Sequence, residues 1–94
     1  MKKTYYVYII TNKKHGTLYV GVTSNLEQRM VQHTTKTCDG FSAKYNLSTL
    51  IYFETTNDTT SAITREKCLK KWKRSWKIRL IEKYNPKWND LMKL

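Results

Sequence analysis

Residues 4–21 read TYYVYIITNKKHGTLYVG, two short apolar runs joined by a polar loop. In the first run Tyr6 and Tyr8 alternate with Val7 and Ile9; in the second, Tyr19 stands two residues before Gly21. A period of two is the pattern of a strand with distinct faces, and two such runs about a polar loop predict a β-hairpin. If Thr17 lies opposite Ile10, then Tyr19 lies opposite Tyr8, on the same face, with both phenols in reach of one group.

Beyond the hairpin, Ser24-Asn25 supplies an N-cap, and Leu26, Met30 and His33 follow at spacings of four and three. This predicts a helix over Leu26–Thr34 with Arg29 and His33 on one face. Residues 34–40, TTKTCDG, read as a polar loop, and residues 41–45 as a single helical turn. Residues 49–55, TLIYFET, are β-branched and aromatic and predict a third strand; Asn57-Asp58 then closes it and caps the next helix. From residue 59 to about 84 the pattern is helical, with a break near Arg74-Ser75 and a stop at Pro86.

In the first half of that helical stretch Ala62, Leu69, Trp72 and Trp76 form one apolar stripe, and Glu66 falls on it, four residues after Ala62 and three before Leu69. A lone carboxylate on a buried face costs about several kcal/mol unless something pairs with it. Glu66 therefore requires a cation, either an arginine or a metal ion. Three strands with flanking helices predict an α+β fold. Ninety-four residues without repeats or linkers predict one domain spanning 1–94.

Charge narrows the partner. Lys and Arg number 18 against 7 Asp and Glu, a net charge of +11, well beyond what solubility requires, and nucleic acid is the expected polyanion. Lys67, Lys70, Lys71, Lys73, Arg74, Lys77 and Arg79 crowd a segment without a carboxylate, interleaved with Trp72 and Trp76, as a phosphate-following surface requires. Cys38 and Cys68 have neither metal-ligand spacing nor a companion histidine cluster, so neither a zinc site nor a disulfide framework is suggested, and a reduced, cytoplasmic chain is expected. The apolar run after Lys2-Lys3 is too short for a secretion signal, and none is long enough to cross a membrane.

Tyr6-Val7-Tyr8, then Tyr19-Val20-Gly21, then Arg29, then Glu66 resemble, in order and spacing, the GIY-YIG endonuclease domain. LYVGVTSNLEQRMVQH, SAKYN, LKKWKR and the closing NPKW extend the likeness over nearly the whole chain, towards the small single-domain GIY-YIG proteins of bacteria. The resemblance implies a three-stranded antiparallel sheet flanked by helices, and a DNA endonuclease that hydrolyses phosphodiester bonds with one divalent metal, Mg²⁺ or Mn²⁺. It makes Glu66 the metal ligand, Arg29 the cation on the phosphate, and Tyr8 and Tyr19 the phenols beside the attacking water; His33 matches a position that holds tyrosine or histidine. Lys67, Lys70, Lys71, Lys73, Arg74 and Lys77 are then the nucleic-acid contacts. With no room for a separate targeting domain, cleavage would follow branched, nicked or damaged DNA structure, as in DNA repair, or a protein partner, rather than sequence. The alternative is a nucleic-acid-binding module of the same fold with little or no activity of its own.

The residue types suit that chemistry. A hard cation neutralises phosphate charge and needs few carboxylates, and a guanidinium grips phosphate oxygens in a bidentate way that lysine cannot match. A phenol with a pKa of about 10 is a poor base near neutrality, whereas histidine at about 6.5 is the chemically easier one. Taken singly each residue has a plainer explanation: tyrosines filling a sheet face, Glu66 paired with Arg29 or Arg65, His33 bonded to backbone, and His15 exposed in its loop. Two positions depart from the family pattern. Tyr6 stands where the motif has glycine, and the stretch after Glu66 offers Lys77 and no asparagine before Asn85.

Overall fold

The computed structural model describes residues 3–36 and 40–93. Cys38 and the centre of the predicted 34–40 loop lie outside the described residues. In chain order the elements are β1 (Tyr5–Thr11), β2 (Leu18–Thr23), α1 (Leu26–Thr34), α2 (Gly40–Lys44), β3 (Thr49–Thr56), α3 (Thr59–Lys71), α4 (Arg74–Tyr84) and a 3₁₀ turn at Leu91–Lys93. The strands form one antiparallel sheet in the order β2-β1-β3, an α+β arrangement with helices on both faces. No helix of the described residues is long and apolar enough to cross a membrane.

Alternation along β1 divides the core. Val7 and Ile9 point to one face, where they pack with Val20, Ile51, Tyr52, Ala62 and Leu69 of α3, and Ile81 of α4. Tyr8 and Ile10 point to the other, against Leu26 and Met30 of α1 with Leu47 and Leu50. A bulge opposite Ile9 and Ile10 lets Ile51 and Tyr52, adjacent in sequence, serve the same face. The hairpin register differs from the one predicted. Thr11 pairs with Leu18, so Tyr8 faces Gly21 and Ile10 faces Tyr19. The slip is two residues and side chains alternate with period two, so Tyr8 and Tyr19 still share a face, now on a diagonal.

Helix α1 has the bounds its cap and spacing predict, with the Asn25 side chain accepting from the Gln28 N–H at 3.1 Å. Asp58 caps α3 in the same way, accepting from Ser61 N at 2.8 Å. The long helical stretch breaks at Trp72-Lys73, two residues earlier than predicted, where both residues are extended. The Lys77 ammonium donates to the Lys70 carbonyl at 3.4 Å, satisfying the end of α3 from the next helix. Burial, and secondarily Arg74, lowers the Lys77 pKa. Because of the turn, Trp76 leaves the apolar stripe of Ala62 and Leu69 and stands 45% exposed on α4.

The hairpin loop is clamped by α4 and by Trp88 beyond its end. Arg74 donates to the carbonyls of His15 and Gly16, both at 2.6 Å, and His15 Nε2 lies 3.1 Å from a Glu82 oxygen that also accepts from the Trp88 indole at 2.8 Å. His15 is thus exposed yet engaged, and its ring stacks 5.0 Å from Trp88. These bonds, that of Trp88 first, hold the Glu82 carboxyl below its ordinary pKa. A depressed carboxyl stabilises the fold above its unfolded value of about 4.3 and loses that contribution as pH falls through the folded value. Acid unfolding followed by circular dichroism should therefore show Glu82→Gln less stable than wild type at pH 6 and the two converging below about pH 4; a constant gap would rule the linkage out.

Candidate functional site

Tyr8 comes from the central strand and is fully buried. Its hydroxyl and His33 Nε2 share a 2.9 Å hydrogen bond, also buried, that joins the sheet to α1. His33 lies two turns along α1 from Leu26, on the inward stripe with Met30, so the periodicity that forms the helix also delivers the imidazole to Tyr8. Its partner is a side chain, not the backbone. Tyr19, half-buried on the edge strand, stands with its ring 5.7 Å from the His33 ring, and Tyr8 stands 5.8 Å away on the same imidazole. Gly21 makes this possible. A Cβ there would land on the Tyr8 phenol, so the glycine is required for space, its φ being ordinary. Arg29, half-buried, lies on α1 one turn before His33.

Glu66 approaches from the opposite side of the sheet. Helix α3 packs on the Val7 face, and successive residues on a helix diverge by about 100°, so Arg65 and Glu66 reach opposite flanks. Arg65 turns to β3, where its Nε donates to Glu54 at 2.9 Å, and Tyr52 donates to the other Glu54 oxygen at 2.7 Å. Burial, then Glu54, raises the Tyr52 pKa well above the ordinary phenol range. Glu66, only 14% exposed, pairs with Lys70 at 3.1 Å. The same ammonium lies 5.9 Å over the Tyr19 ring, so Lys70 carries the link from α3 around the β2 edge to the tyrosine–histidine face. In the structure Glu66 is thus paired with a lysine one turn away, and the neighbouring Arg65 turns instead to Glu54.

The arrangement offers a divalent ion a single carboxylate, that of Glu66. Glu66 Oε2 is already held by Lys70, and among the described residues no three His, Cys, Asp or Glu side chains come together. Magnesium does bind through one or two carboxylates with waters, but here the carboxylate has first to release an ammonium. Of the expected phosphate contacts, Lys67, Lys71 and Lys73 are exposed, Lys70 serves Glu66, and Arg74 and Lys77 serve the hairpin loop and the α3 terminus. Asn85 is buried and structural: its amide donates to Ile51 O and Asn89 O, both at 2.9 Å, and accepts from Asn89 N at 3.1 Å. The His15–Glu82–Trp88 cluster and the Tyr52–Glu54–Arg65 chain were not foreseen. His15 and Glu82 lie 67 residues apart with no local pattern to join them, whereas Tyr52 and Glu54 share a strand face by parity and take Arg65 from 11 residues on.

Comparison with known proteins agrees with this geometry. The family model described as the GIY-YIG catalytic domain matches residues 4–86. The chain is 39% identical over 80 residues to a UPF0213 protein of Clostridium perfringens, covering 81% of each. It is 34% identical over 82 residues to a UPF0213 protein of Staphylococcus haemolyticus, covering 83% of this chain and 94% of that one. In fold it is similar to the solution structure of a UPF0213 protein of Bacillus halodurans, with a TM-score of 0.58 at 22% identity, covering 97% of this chain and 96% of that one. A family model matching most of the chain, together with two relatives above 30% identity, shows that the chain belongs to the GIY-YIG family, among its small UPF0213 proteins.

Proposed function

We propose that this protein binds nucleic acid, seating a phosphate backbone along the lysine-bearing flank of α3 beside the tyrosine–histidine site, with little or no cleavage activity of its own. The observation that carries this reading is the Glu66–Lys70 pair. It neutralises the Glu66 carboxylate beside a run of lysines and sets an ammonium, rather than an acid, against Tyr19. Lys67 and Lys71, one helical turn apart, extend that surface, and Arg29 and the Tyr19 phenol supply phosphate donors on the far side of the β2 edge. The buried Tyr8–His33 bond then works as a strut between β1 and α1.

Binding of this kind releases counterions, and the logarithm of affinity falls with that of salt by about 0.9 per neutralised phosphate on duplex DNA. Lys67→Ala with Lys71→Ala should lower the slope by about two without unfolding the protein, as read by fluorescence anisotropy on a labelled duplex. An unchanged slope would remove α3 from the interface. Glu66→Gln should preserve or strengthen binding, since it frees Lys70.

A second reading is a divalent-metal-dependent DNA endonuclease. It is favoured by the meeting of Tyr8, Tyr19 and His33, with Arg29 one turn away. In that reading Glu66 would hold Mg²⁺ or Mn²⁺ after parting from Lys70, the bound ion would supply charge neutralisation at the phosphate, and Tyr19 or His33 would take the proton. Incubation of branched, nicked and single-stranded DNA with each metal separates the two. Nicking abolished by Glu66→Gln while binding persists would establish the endonuclease and displace the binding-only reading.

A further inference from the structure

The second tryptophan of the basic segment serves neither the core nor the tyrosine–histidine site. On α4, Trp76, Arg79, Leu80 and Lys83 follow at spacings of three, one and three, so they share a helix face. This face points away from the buried Ile81. With Trp72 they line an open groove of about 580 Å³, within the range of about 300–1,000 Å³ that suits small ligands. The two indoles meet edge to face, 6.2 Å apart at 82°, and make two walls at a right angle. Trp72 is fixed from behind by the Arg65 guanidinium, 5.2 Å from its ring, which Glu54 in turn holds. Trp76 is the free wall, and the Lys73 ammonium lies 5.6 Å from its ring.

We infer that this groove takes an unpaired nucleobase, stacked on Trp76, with its neighbouring phosphates on Lys73, Arg79 and Lys83. The inference rests on the nucleic-acid reading and adds to it a preference for single strands. Among the described residues three cations line or rim the groove, no carboxylate lines it, and its two aromatic walls each present a flat ring. An anion carrying a flat ring answers both features; a second copy of this chain, itself at +11, would set cations against cations. A base paired within a duplex keeps its faces stacked on its neighbours and cannot present one to Trp76, whereas a single strand or an extruded base can.

The test uses fluorescence anisotropy with a labelled 12-nucleotide single strand, the same strand made abasic at its centre, and the corresponding duplex, all at one salt concentration. Trp76→Ala should weaken the intact single strand about tenfold or more, the scale of one lost aromatic stack, and change the duplex less than twofold. Trp76→Phe, which keeps a flat ring, should recover most of the loss. The abasic strand should bind wild type about as weakly as the intact strand binds Trp76→Ala. An unchanged single-strand affinity in Trp76→Ala, or an equal loss on the duplex, overturns the stacking site while leaving duplex binding by the α3 flank intact. Absence of binding to every strand by wild type overturns the nucleic-acid reading itself. Displacement of the strand by a polyglutamate peptide in wild type but not in Trp76→Ala would assign the groove to an acidic polypeptide instead.

Discussion

Gly21→Ala is expected to destabilise the protein by about 2–5 kcal/mol, lowering the thermal midpoint by about 10–30 °C. The added methyl has nowhere to go. Gly21 lies across from Tyr8 in the sheet, and its Cβ would overlap the Tyr8 hydroxyl and the ring carbons behind it. Tyr8 is held between the sheet and α1 and bonded to His33, so the ring moves only by giving up that buried bond. Overpacking of this kind costs about 1–3 kcal/mol, and the lost buried hydrogen bond adds about 1–2 kcal/mol. Adding Tyr8→Phe should bring no rescue, because ring carbons remain in the way and His33 still loses its partner. Thermal unfolding by circular dichroism decides the matter: a shift below about 3 °C in Gly21→Ala would mean that Tyr8 has another place to lie.

The second large effect is expected at Asn85. Asn85→Ala should cost about 2–4 kcal/mol, because one buried amide serves Ile51 O, Asn89 O and Asn89 N together and ties the end of α4 to the inner strand segment of β3. Asn85→Asp should cost at least as much, since a carboxylate sets an acceptor against the Ile51 and Asn89 carbonyls. Urea unfolding gives the magnitude. Nucleic-acid affinity of the folded variant should stay within twofold of wild type, as the Asn85 amide is buried and bonds to Ile51 and Asn89 rather than to Tyr19 or the α3 lysines. A large affinity loss at unchanged stability would give Asn85 a part in binding that its hydrogen bonds do not suggest.

How far each feature could be read in advance depends on the range of the interaction behind it. Helix α1 is legible because its cap, Asn25, and its stripe, Leu26, Met30 and His33, lie within nine residues of one another. The face shared by Tyr8 and Tyr19 is legible too, since parity along a strand survives a register error of two. The register itself is not. It is set by the loop, where the Thr17 N–H bonds to the Asn12 side chain and the Gly16 N–H closes onto Lys13 O, and by the clamp of Arg74 on the loop carbonyls. The break before α4 falls early because Trp72 and Lys73 answer to the packing of two helices on the sheet, not to the pattern along one helix.

The candidate site divides along the same line. From sequence alone came its members, the strand parity that sets two phenols on one face, the partly buried carboxylate that demands a cation, and a charge of +11 that points to a polyanion. Tertiary structure decided the partners. His33 bonds to a tyrosine 25 residues away, Glu66 takes Lys70 while the neighbouring Arg65 goes to Glu54, and Arg74 is drawn from the phosphate surface to the hairpin loop. The physical reason is that periodicity records which way a side chain points, a local property of backbone geometry. Which charge or hydroxyl it finds there depends on how helices and strands distant in sequence are laid against each other around the core.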